Sequence, residues 1–374
     1  MFGLGGPDIN SFKNQHPDPE ITIFPSASAD DAAYSLEEGP LRSAIFIPDE
    51  FKFGCDGKTP VILVPGTGTY GGEAFAHNFT KLLKASSFGD PVWLNIPGRM
   101  CDSSPVNAQY VAYAIQYIST RSQKQVAAIG WSQGNLSIQW TLKYWPSTRA
   151  KVSNFIALSA DFAGTIEAWG LTPFSHAVPG TPAVWHQRRN ADFIATLRSN
   201  GGDSAYVPTT SIYSATDEVV QPQSGHRASA LMHDARGVGV MNCELQVAAR
   251  FKPAGLIYTH ESVMSNALAW ALAEDAIRNG GPGRYERIEM DKVCMHTKAP
   301  GLSMLDVAGT QALTATALKN ILLYMPKPWS EPVLPLYATV EEKTYVAEDV
   351  TTMGDTGKVP AAVAEVEVAP VAAS

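Results

Sequence analysis

A serine between two glycines is the first feature of this sequence that could do chemistry. Residues 127–140 read AAIGWSQGNLSIQW, in which Ser132 follows Gly130 and precedes Gly134. The pattern G-x-S-x-G is typical of a nucleophilic serine on a sharp strand-to-helix turn. Small neighbours leave the hydroxyl exposed, and the helix N-terminus favours developing negative charge. The competing interpretation is a serine in an ordinary tight turn.

A nucleophilic serine of this kind requires a histidine base later in the chain. His260 directly follows the apolar run 255–259, which predicts a strand. Functional residues of open α/β sheets lie at the carboxyl ends of strands. His260 is therefore the preferred base, and His296 is the alternative.

The acid that orients such a histidine is also expected at a strand end. Asp217 comes just after the predicted strand 210–214, and Asp161 follows another predicted strand. An aspartate in a turn often accepts hydrogen bonds from backbone amides instead. Position alone therefore leaves both acids open.

The loop "VPGTGTYGG" (64–72) can supply a donor to an oxyanion. An oxyanion hole needs the backbone N–H after the nucleophile, here that of Gln133, and a second donor from the loop after an early strand. Thr67 offers both an amide and a hydroxyl. The spelling "GTGTYG" (66–71) also matches the dinucleotide fingerprint G-x-G-x-x-G, but a lone match is a weak signal.

Short apolar runs alternate with helical periodicity from residue 59 onwards, which predicts strands followed by helices. The predicted strands are 61–64, 92–96, 125–130, 154–158, 210–214 and 255–259. The predicted helices are 74–86, 107–120, 135–145, 261–281 and 303–323. This alternation predicts an α/β fold with a mainly parallel central sheet and helices on both faces.

The domain organisation follows from composition. Residues 1–54 are predicted to be an irregular lead-in, and residues 55–345 the α/β domain. Within that domain the Pro- and Gly-rich segment 163–208 is expected to cross the top edge of the sheet, near the helix 303–323. Residues 346–374, rich in Ala, Val and Glu, are predicted to be a disordered tail.

Charge and hydropathy exclude several partners. The 374 residues carry a net charge of −8, of which residues 341–374 account for −5. The sequence offers no basic patch for nucleic acid or an anionic membrane. No apolar run reaches the ~18 residues of a transmembrane helix. The first residues lack the basic and apolar regions of a signal peptide, so we expect that a secretion signal was removed or never present.

Four motifs together resemble the fungal lipase family typified by Candida antarctica lipase B. They are VPGTGTYG (64–71), WSQGN (131–135), SATDEVVQPQ (214–223) and the TH (259–260) after AGLIY. The resemblance spans residues 55–345. It implies the α/β-hydrolase fold and the hydrolysis or transfer of carboxylic esters through an acyl-enzyme, without a cofactor or metal.

The resemblance also assigns roles residue by residue. It implies a catalytic triad of Ser132, Asp217 and His260, and so favours Asp217 over Asp161. It implies an oxyanion hole formed by Thr67 and Gln133. The implied substrate-binding residues are Thr69, Ala74 and Trp131 in a stereospecificity pocket, Asp161 in a polar wall, and Gln187, Val219 and Val220 on the acyl side. The helix 303–323 and the segment 169–180 would form opposing walls of the entrance.

The cysteines predict two disulfides in an oxidising compartment. Four cysteines allow three pairings. The preferred pairs are Cys55–Cys101 and Cys243–Cys294, each closing a loop of about 50 residues. Both bridges would be shifted by several residues from those of the family. Four free thiols are the competing interpretation.

These observations predict a secreted, monomeric serine hydrolase of lipase type. Its substrates would be carboxylic esters such as acylglycerols, and contact with a lipid–water interface is compatible with the sequence. One alternative is a short-chain carboxylesterase without interfacial preference. Two others are a catalytically inactive α/β-hydrolase that serves as a binding module, and a nicotinamide-dependent oxidoreductase.

Overall fold

The fold is built around a seven-stranded sheet. The computed structural model describes residues 8–172 and 178–339. The strands are β1 (Ile45–Phe46), β2 (Thr59–Val64), β3 (Gly89–Leu94), β4 (Val126–Trp131), β5 (Val152–Leu158), β6 (Thr209–Tyr213) and β7 (Val240–Glu244). Their order is β1-β3-β2-β4-β5-β6-β7. Only β1 runs antiparallel to its neighbour. The predicted mainly parallel sheet is therefore confirmed.

Helices connect the strands and cover the sheet. They are α1 (Glu38–Ser43), α2 (Gly71–Phe75), α3 (Phe79–Ala85), α4 (Ser104–Ser122), α5 (Gln133–Tyr144), α6 (Ala168–Leu171), α7 (Pro182–His186), α8 (Asp192–Arg198), α9 (Leu245–Ala248), α10 (Ala267–Asn279), α11 (Met290–Val293), α12 (Met304–Gln311), α13 (Leu313–Leu323) and α14 (Leu336–Thr339). The long helices α4 and α5 connect β3 to β4 and β4 to β5, and each provides the crossover that parallel strands of one sheet require.

Both faces of the sheet are buried. Along β2, Ile62 and Val64 belong to one hydrophobic cluster, which also contains side chains of α4 and α5. Val61 and Leu63 belong to a second cluster, which contains side chains of α3 and α10. Alternate residues of a strand point to opposite faces. The continuous apolar runs of the sequence thus reflect a sheet packed by helices on both sides.

The prediction for the last strand is wrong. Residues 255–259 form no strand, and β7 at Val240–Glu244 takes the last place in the sheet. Leu256 and Ile257 are 57% and 81% exposed, so their apolar character does not mark burial. A 3₁₀ turn at Pro253–Gly255 redirects the chain before this run. Most of β7 is only half-buried, which explains its weak signal in the sequence.

The predicted lead-in is not wholly irregular. Within residues 1–54, α1 and the two-residue β1 are ordered, and β1 pairs with β3. A strand this short gives no periodicity to detect. Segment 163–208 carries α6, α7 and α8, and the predicted helix 303–323 consists of α12 and α13, separated at Ala312. The predicted tail 346–374 and part of the segment 169–180 lie outside the described residues.

The disulfide prediction is wrong, because all four cysteines are free thiols. Cys55 is exposed whereas Cys101 is fully buried, so the first pair does not share an environment. Cys243 and Cys294 lie in the same hydrophobic cluster, and burial raises the pKa of the Cys243 thiol to about 12, partly offset by its hydrogen bond with Tyr285. Across the described ranges, no helix is long and apolar enough to cross a membrane.

Candidate active site

Ser132 occupies the turn between β4 and α5, as the sequence predicts. Its φ and ψ are +55° and −131°, a conformation that residues other than glycine rarely adopt. A Cβ on Gly134 would collide with the carbonyl oxygen of Val64, and one on Gly130 would collide with the Asn135 side chain. The two glycines therefore let the turn approach β2 and the start of α5, and they leave Ser132 at the end of its strand.

Hydrogen bonds from Asn135 hold the conformation of this turn. The side-chain amide of Asn135 donates to the carbonyl oxygens of Ser132 and Leu158, both at 2.9 Å. Its backbone N–H also donates to the carbonyl of Ser132. Asn135 is fully buried and ties the start of α5 to the end of β5.

Asp217 and His260 form a buried pair beside the serine. His260 Nδ1 donates to Asp217 Oδ2 at 2.8 Å. The second oxygen of Asp217 accepts the backbone N–H groups of Val219 and Val220, at 2.9 and 2.7 Å. Asp217 and His260 are 1% and 3% exposed. The carboxylate is thus held in place by β6 and its following turn, with one oxygen directed at the imidazole.

The backbone of His260 is fixed from three sides. Its carbonyl oxygen accepts the Ser159 hydroxyl at 2.9 Å and the Trp131 indole N–H at 3.2 Å. Its N–H donates to Glu218 Oε2 at 3.1 Å. These bonds connect the irregular segment that carries His260 to the ends of β4 and β5. A strand at 255–259 is therefore not needed to position the imidazole.

Carboxylates dominate the electrostatics around the imidazole. Burial by itself disfavours the charged form, but the Asp217 carboxylate, with smaller contributions from Glu261 and Glu218, raises the pKa of His260 to about 9. Burial also raises the pKa of Asp161 to about 7. Neither oxygen of Asp161 accepts a hydrogen bond from the described residues. The Nδ1 bond of His260 goes to Asp217 and not to Asp161.

Thr67 and Gln133, the predicted oxyanion donors, lie in contact. The Thr67 hydroxyl donates to the side-chain oxygen of Gln133 at 3.3 Å and accepts from Gln187 Nε2 at 2.8 Å. Gln133 begins α5, so its backbone N–H has no partner within the helix. Glycine at position 66 lets the loop approach the serine turn closely, because a Cβ at this position would lie only 2.8 Å from the Cβ of Ser132. The loop therefore packs on the serine turn.

A cavity of about 340 Å³ lies between Ser132, His260 and Thr67. Six of the predicted site residues line it, namely Thr67, Trp131, Ser132, Gln187, Val219 and His260. Helix α6 contributes Ala168, Gly170 and Leu171, and α13 contributes Thr314, Ala317, Leu318 and Ile321. This volume is within the range of small-molecule sites. The predicted helix wall thus lines the cavity.

Four predicted substrate-binding residues are buried but do not line this cavity: Thr69, Ala74, Asp161 and Val220. The Thr69 hydroxyl donates to the carbonyl of Gly66 at 2.9 Å. Ala74 packs in one of the two core clusters. Their roles in binding remain predictions, and so do the catalytic roles of the other site residues.

Sequence reasoning missed Glu261. It follows His260 directly, lines the cavity and is 2% exposed. An acid next to the candidate base was a visible signal, but nothing in the sequence indicated that it would be buried. No group of three or more His, Cys, Asp or Glu side chains in the described part of the chain is arranged to hold a metal ion.

The arrangement defines a class of protein. In a mainly parallel sheet, strand β4 is followed by a serine on a strained strand-to-helix turn. Later segments of the chain bring a hydrogen-bonded Asp–His pair to the same cavity. This fold and this order of residues are those of the α/β-hydrolases. Such a site can support attack by the serine on a carbonyl carbon.

Two comparisons place the chain within that class. It is 38% identical over 212 residues to lipase B of Pseudozyma antarctica, which covers 55% of this chain and 58% of that protein. The match thus spans less than two thirds of that relative. The crystal structure of Aspergillus fumigatus lipase B superposes with a TM-score of 0.84 at 49% identity, covering 88% of this chain and 79% of that one. No family model matches the chain. The chain belongs to the lipase B family, which confirms the predicted resemblance and fold.

Proposed function

We propose that this protein hydrolyses carboxylic esters, and transfers their acyl groups, with Ser132 as the nucleophile. The observation that carries the proposal is the Asp217–His260 hydrogen bond of 2.8 Å at the cavity that Ser132 lines. The names of both relatives, lipase B from two fungi, agree with it. The order Ser132, Asp217, His260 along the chain is that of α/β-hydrolases.

The reaction then proceeds in two halves. His260 removes the proton of the Ser132 hydroxyl as its oxygen attacks the ester carbonyl, and Asp217 stabilises the resulting imidazolium. Thr67 and the amide of Gln133 donate to the oxyanion, where loss of one donor typically costs about 3–4 kcal/mol. The imidazolium gives its proton to the leaving alcohol. Water or a second alcohol, activated by His260, releases the acyl group from Ser132.

The acid component of the ester is expected in a mostly apolar cavity, which favours acylglycerols over polar esters. Large apolar side chains near the cavity remain exposed: Ile166 and Trp169 beside or within α6, and Leu322 and Leu323 on α13. Such surface favours contact with a lipid–water interface. We also propose that the enzyme is secreted and that it acts at this interface as a monomer. Detection of the chain in the culture medium would test secretion.

Hydrolysis of p-nitrophenyl esters with increasing acyl length tests the proposal. Ser132→Ala should lower kcat by at least about 10⁴-fold, because no other group can form the acyl-enzyme. An organophosphonate should label the wild-type protein at Ser132 in a 1:1 ratio and should not label the variant. A folded wild-type chain that neither hydrolyses esters nor reacts with the phosphonate would refute the proposal and favour a binding module.

A short-chain carboxylesterase is the second candidate, since the cavity of about 340 Å³ is modest. A sharp optimum at short acyl chains, without increased rate above the solubility limit of the ester, would favour it. Activity that extends to long, aggregated esters would favour the lipase.

A further inference from the structure

A ring of buried hydrogen bonds lies behind the two predicted oxyanion donors. Gln187 donates to the Thr67 hydroxyl at 2.8 Å, and this hydroxyl donates to the side chain of Gln133 at 3.3 Å. The Gln133 amide in turn donates to the Ser104 hydroxyl at 2.9 Å. The backbone N–H of Ser104 donates to His186 Nδ1 at 3.0 Å, and His186 directly precedes Gln187 at the end of α7. All five residues are at most 8% exposed, so the ring ties the loop after β2 to the ends of three helices.

The two hydrogen bonds of the Thr67 hydroxyl differ in strength. The bond from Gln187 Nε2 is 2.8 Å long, which is at the short end of the range for an N–H donor. The bond that the hydroxyl donates to Gln133 Oε1 is 3.3 Å long, whereas O–H donors usually lie about 2.7–2.8 Å from their acceptors. Gln187 thus holds the hydroxyl oxygen firmly, while Gln133 holds its proton only weakly.

Gln187 is suited to hold that oxygen, because its amide nitrogen can only donate hydrogen bonds. The second proton of Nε2 goes to the carbonyl oxygen of Ala183, one turn earlier in α7, at 3.0 Å. Since this carbonyl can only accept, it fixes the Gln187 side chain with its nitrogen, and not its oxygen, towards Thr67. The proton of the Thr67 hydroxyl therefore cannot go to Gln187 Nε2 and stays available for another acceptor.

The proposed reaction creates such an acceptor in the cavity. Thr67 and Ser132 both line the cavity, and attack by Ser132 turns the ester carbonyl oxygen into an oxyanion. A hydrogen bond to a charged acceptor is roughly twice as strong as one to a neutral acceptor. The O–H bond of Thr67 can therefore turn from the neutral Gln133 amide to the oxyanion as charge develops. An interaction gained only at that stage accelerates the reaction without tightening the binding of the substrate.

We infer that Gln187 is a positioning residue, which holds the Thr67 hydroxyl so that its proton turns from Gln133 Oε1 in the resting enzyme to the oxyanion during the reaction. Gln187 acts through Thr67 and needs no contact with the substrate for this role. The role differs from the one that the family resemblance implies, which is contact with the acyl portion. This inference rests on the proposed ester hydrolysis.

The test is a double-mutant cycle on the hydrolysis of p-nitrophenyl butyrate. Thr67→Val removes the hydroxyl and keeps the backbone N–H, and it should lower kcat by about 100-fold, as loss of one oxyanion donor typically does. Gln187→Met keeps the length of the side chain without its donor. It should lower kcat by about tenfold and leave KM within about threefold. Combined with Thr67→Val, it should lower kcat by less than about twofold further, because the hydroxyl that it positions is then absent.

A matched control separates this coupling from general damage to the cavity wall. Val184 also lies on α7 and lines the cavity, but it has no place in the ring. Whatever change in kcat Val184→Ala causes, that change should be the same with and without Thr67→Val. Active sites are titrated with the phosphonate, so that misfolded protein does not enter kcat. Gln187→Leu replaces Gln187→Met if the latter does not fold.

The outcomes are distinguishable. An equal loss of kcat from Gln187→Met in both backgrounds would overturn the inference, because Gln187 would then act independently of the Thr67 hydroxyl. A raised KM with unchanged kcat would also overturn it and favour direct contact with the substrate. Unchanged kcat in Thr67→Val would do the same, since the hydroxyl would then not serve the oxyanion. Each of these results leaves ester hydrolysis by Ser132 intact, whereas failure of the wild type to hydrolyse the ester would refute the proposed function itself.

Discussion

At the scale of single residues, the environment of His260 decides when the site can work. The imidazole must be neutral to accept the serine proton. Its partner Asp217 stabilises the charged form, and Glu218 and Glu261 add to that effect. The same carboxylates that orient and surround the base therefore oppose its neutral form, and this opposition predicts a pH dependence.

We expect kcat/KM to rise with pH until about pH 9. The pKa of His260 is raised from 6.5 to about 9, so the neutral, active form increases with pH and is fully populated only above that value. At pH 7 the free enzyme should show about one hundredth of its limiting kcat/KM. A pH-stat assay on a soluble ester between pH 6 and 10 would measure the acid limb.

The same assay distinguishes the contribution of Glu261. Glu261→Gln removes a negative charge that favours the imidazolium, so its acid limb should move to lower pH. Glu167→Gln is the control for an exposed carboxyl group, and its limb should coincide with that of the wild type. A wild-type limb near pH 6.5, or a movement to higher pH in Glu261→Gln, would contradict this description of the site.

At the scale of secondary-structure elements, the junction between β4 and α5 depends on how close it comes to β2. Gly134 is the second residue of α5, where glycine is usually less favourable than alanine by up to about 1 kcal/mol. Here it is required, because a Cβ would collide with the backbone of Val64 and Pro65. Backbone on both sides of the collision leaves little room for adjustment.

Gly134→Ala should therefore lower the free energy of unfolding by about 1–3 kcal/mol and reduce esterase activity. Gly39→Ala in α1 is the matched control, since a Cβ there meets no atom within 4 Å. It should leave stability unchanged or raise it by up to about 1 kcal/mol. Thermal unfolding of both variants would measure the difference. Equal stability of the two variants would show that the turn at Ser132 can widen to accept a side chain at position 134.

At the scale of the whole molecule, the apolar surface beside the cavity bears on how substrate arrives. On α13 only Leu313 is buried, while Leu322 and Leu323 are 57% and 68% exposed. Exposed apolar surface of this kind is unfavourable in water and can be covered by lipid. The helix that lines the cavity would thereby bring its opening to an aggregated substrate.

Replacing both Leu322 and Leu323 by serine should reduce hydrolysis of emulsified tributyrin by about tenfold or more, since two side chains lose the gain from burial in lipid. Neither residue lines the active-site cavity. Phe251→Ser is the control, because this side chain is 89% exposed but lies outside α13 and the cavity. The rate on dissolved p-nitrophenyl acetate serves as the reference. A parallel loss on both substrates, or the same effect in the control, would argue against docking through α13.

The sequence alone was sufficient for the family, the mainly parallel sheet and the serine turn. These features depend on residues close together in the chain. An apolar run, two small residues around Ser132 and a helical rhythm after it carry the turn, because steric limits act between neighbours. The long motifs at 64–71 and 214–223 carried the family, which the comparisons confirmed.

The tertiary structure decided the features that depend on distant residues. Leu256 and Ile257 read as a strand, but the last place beside β6 is taken by β7, so this apolar run remains exposed. The spacing of the cysteines suggested two bridges, but Cys55 is exposed and Cys101 is buried. Burial and pairing are set by which segments meet in space. For the same reason, no local pattern could reveal that Glu261 would be buried at the cavity.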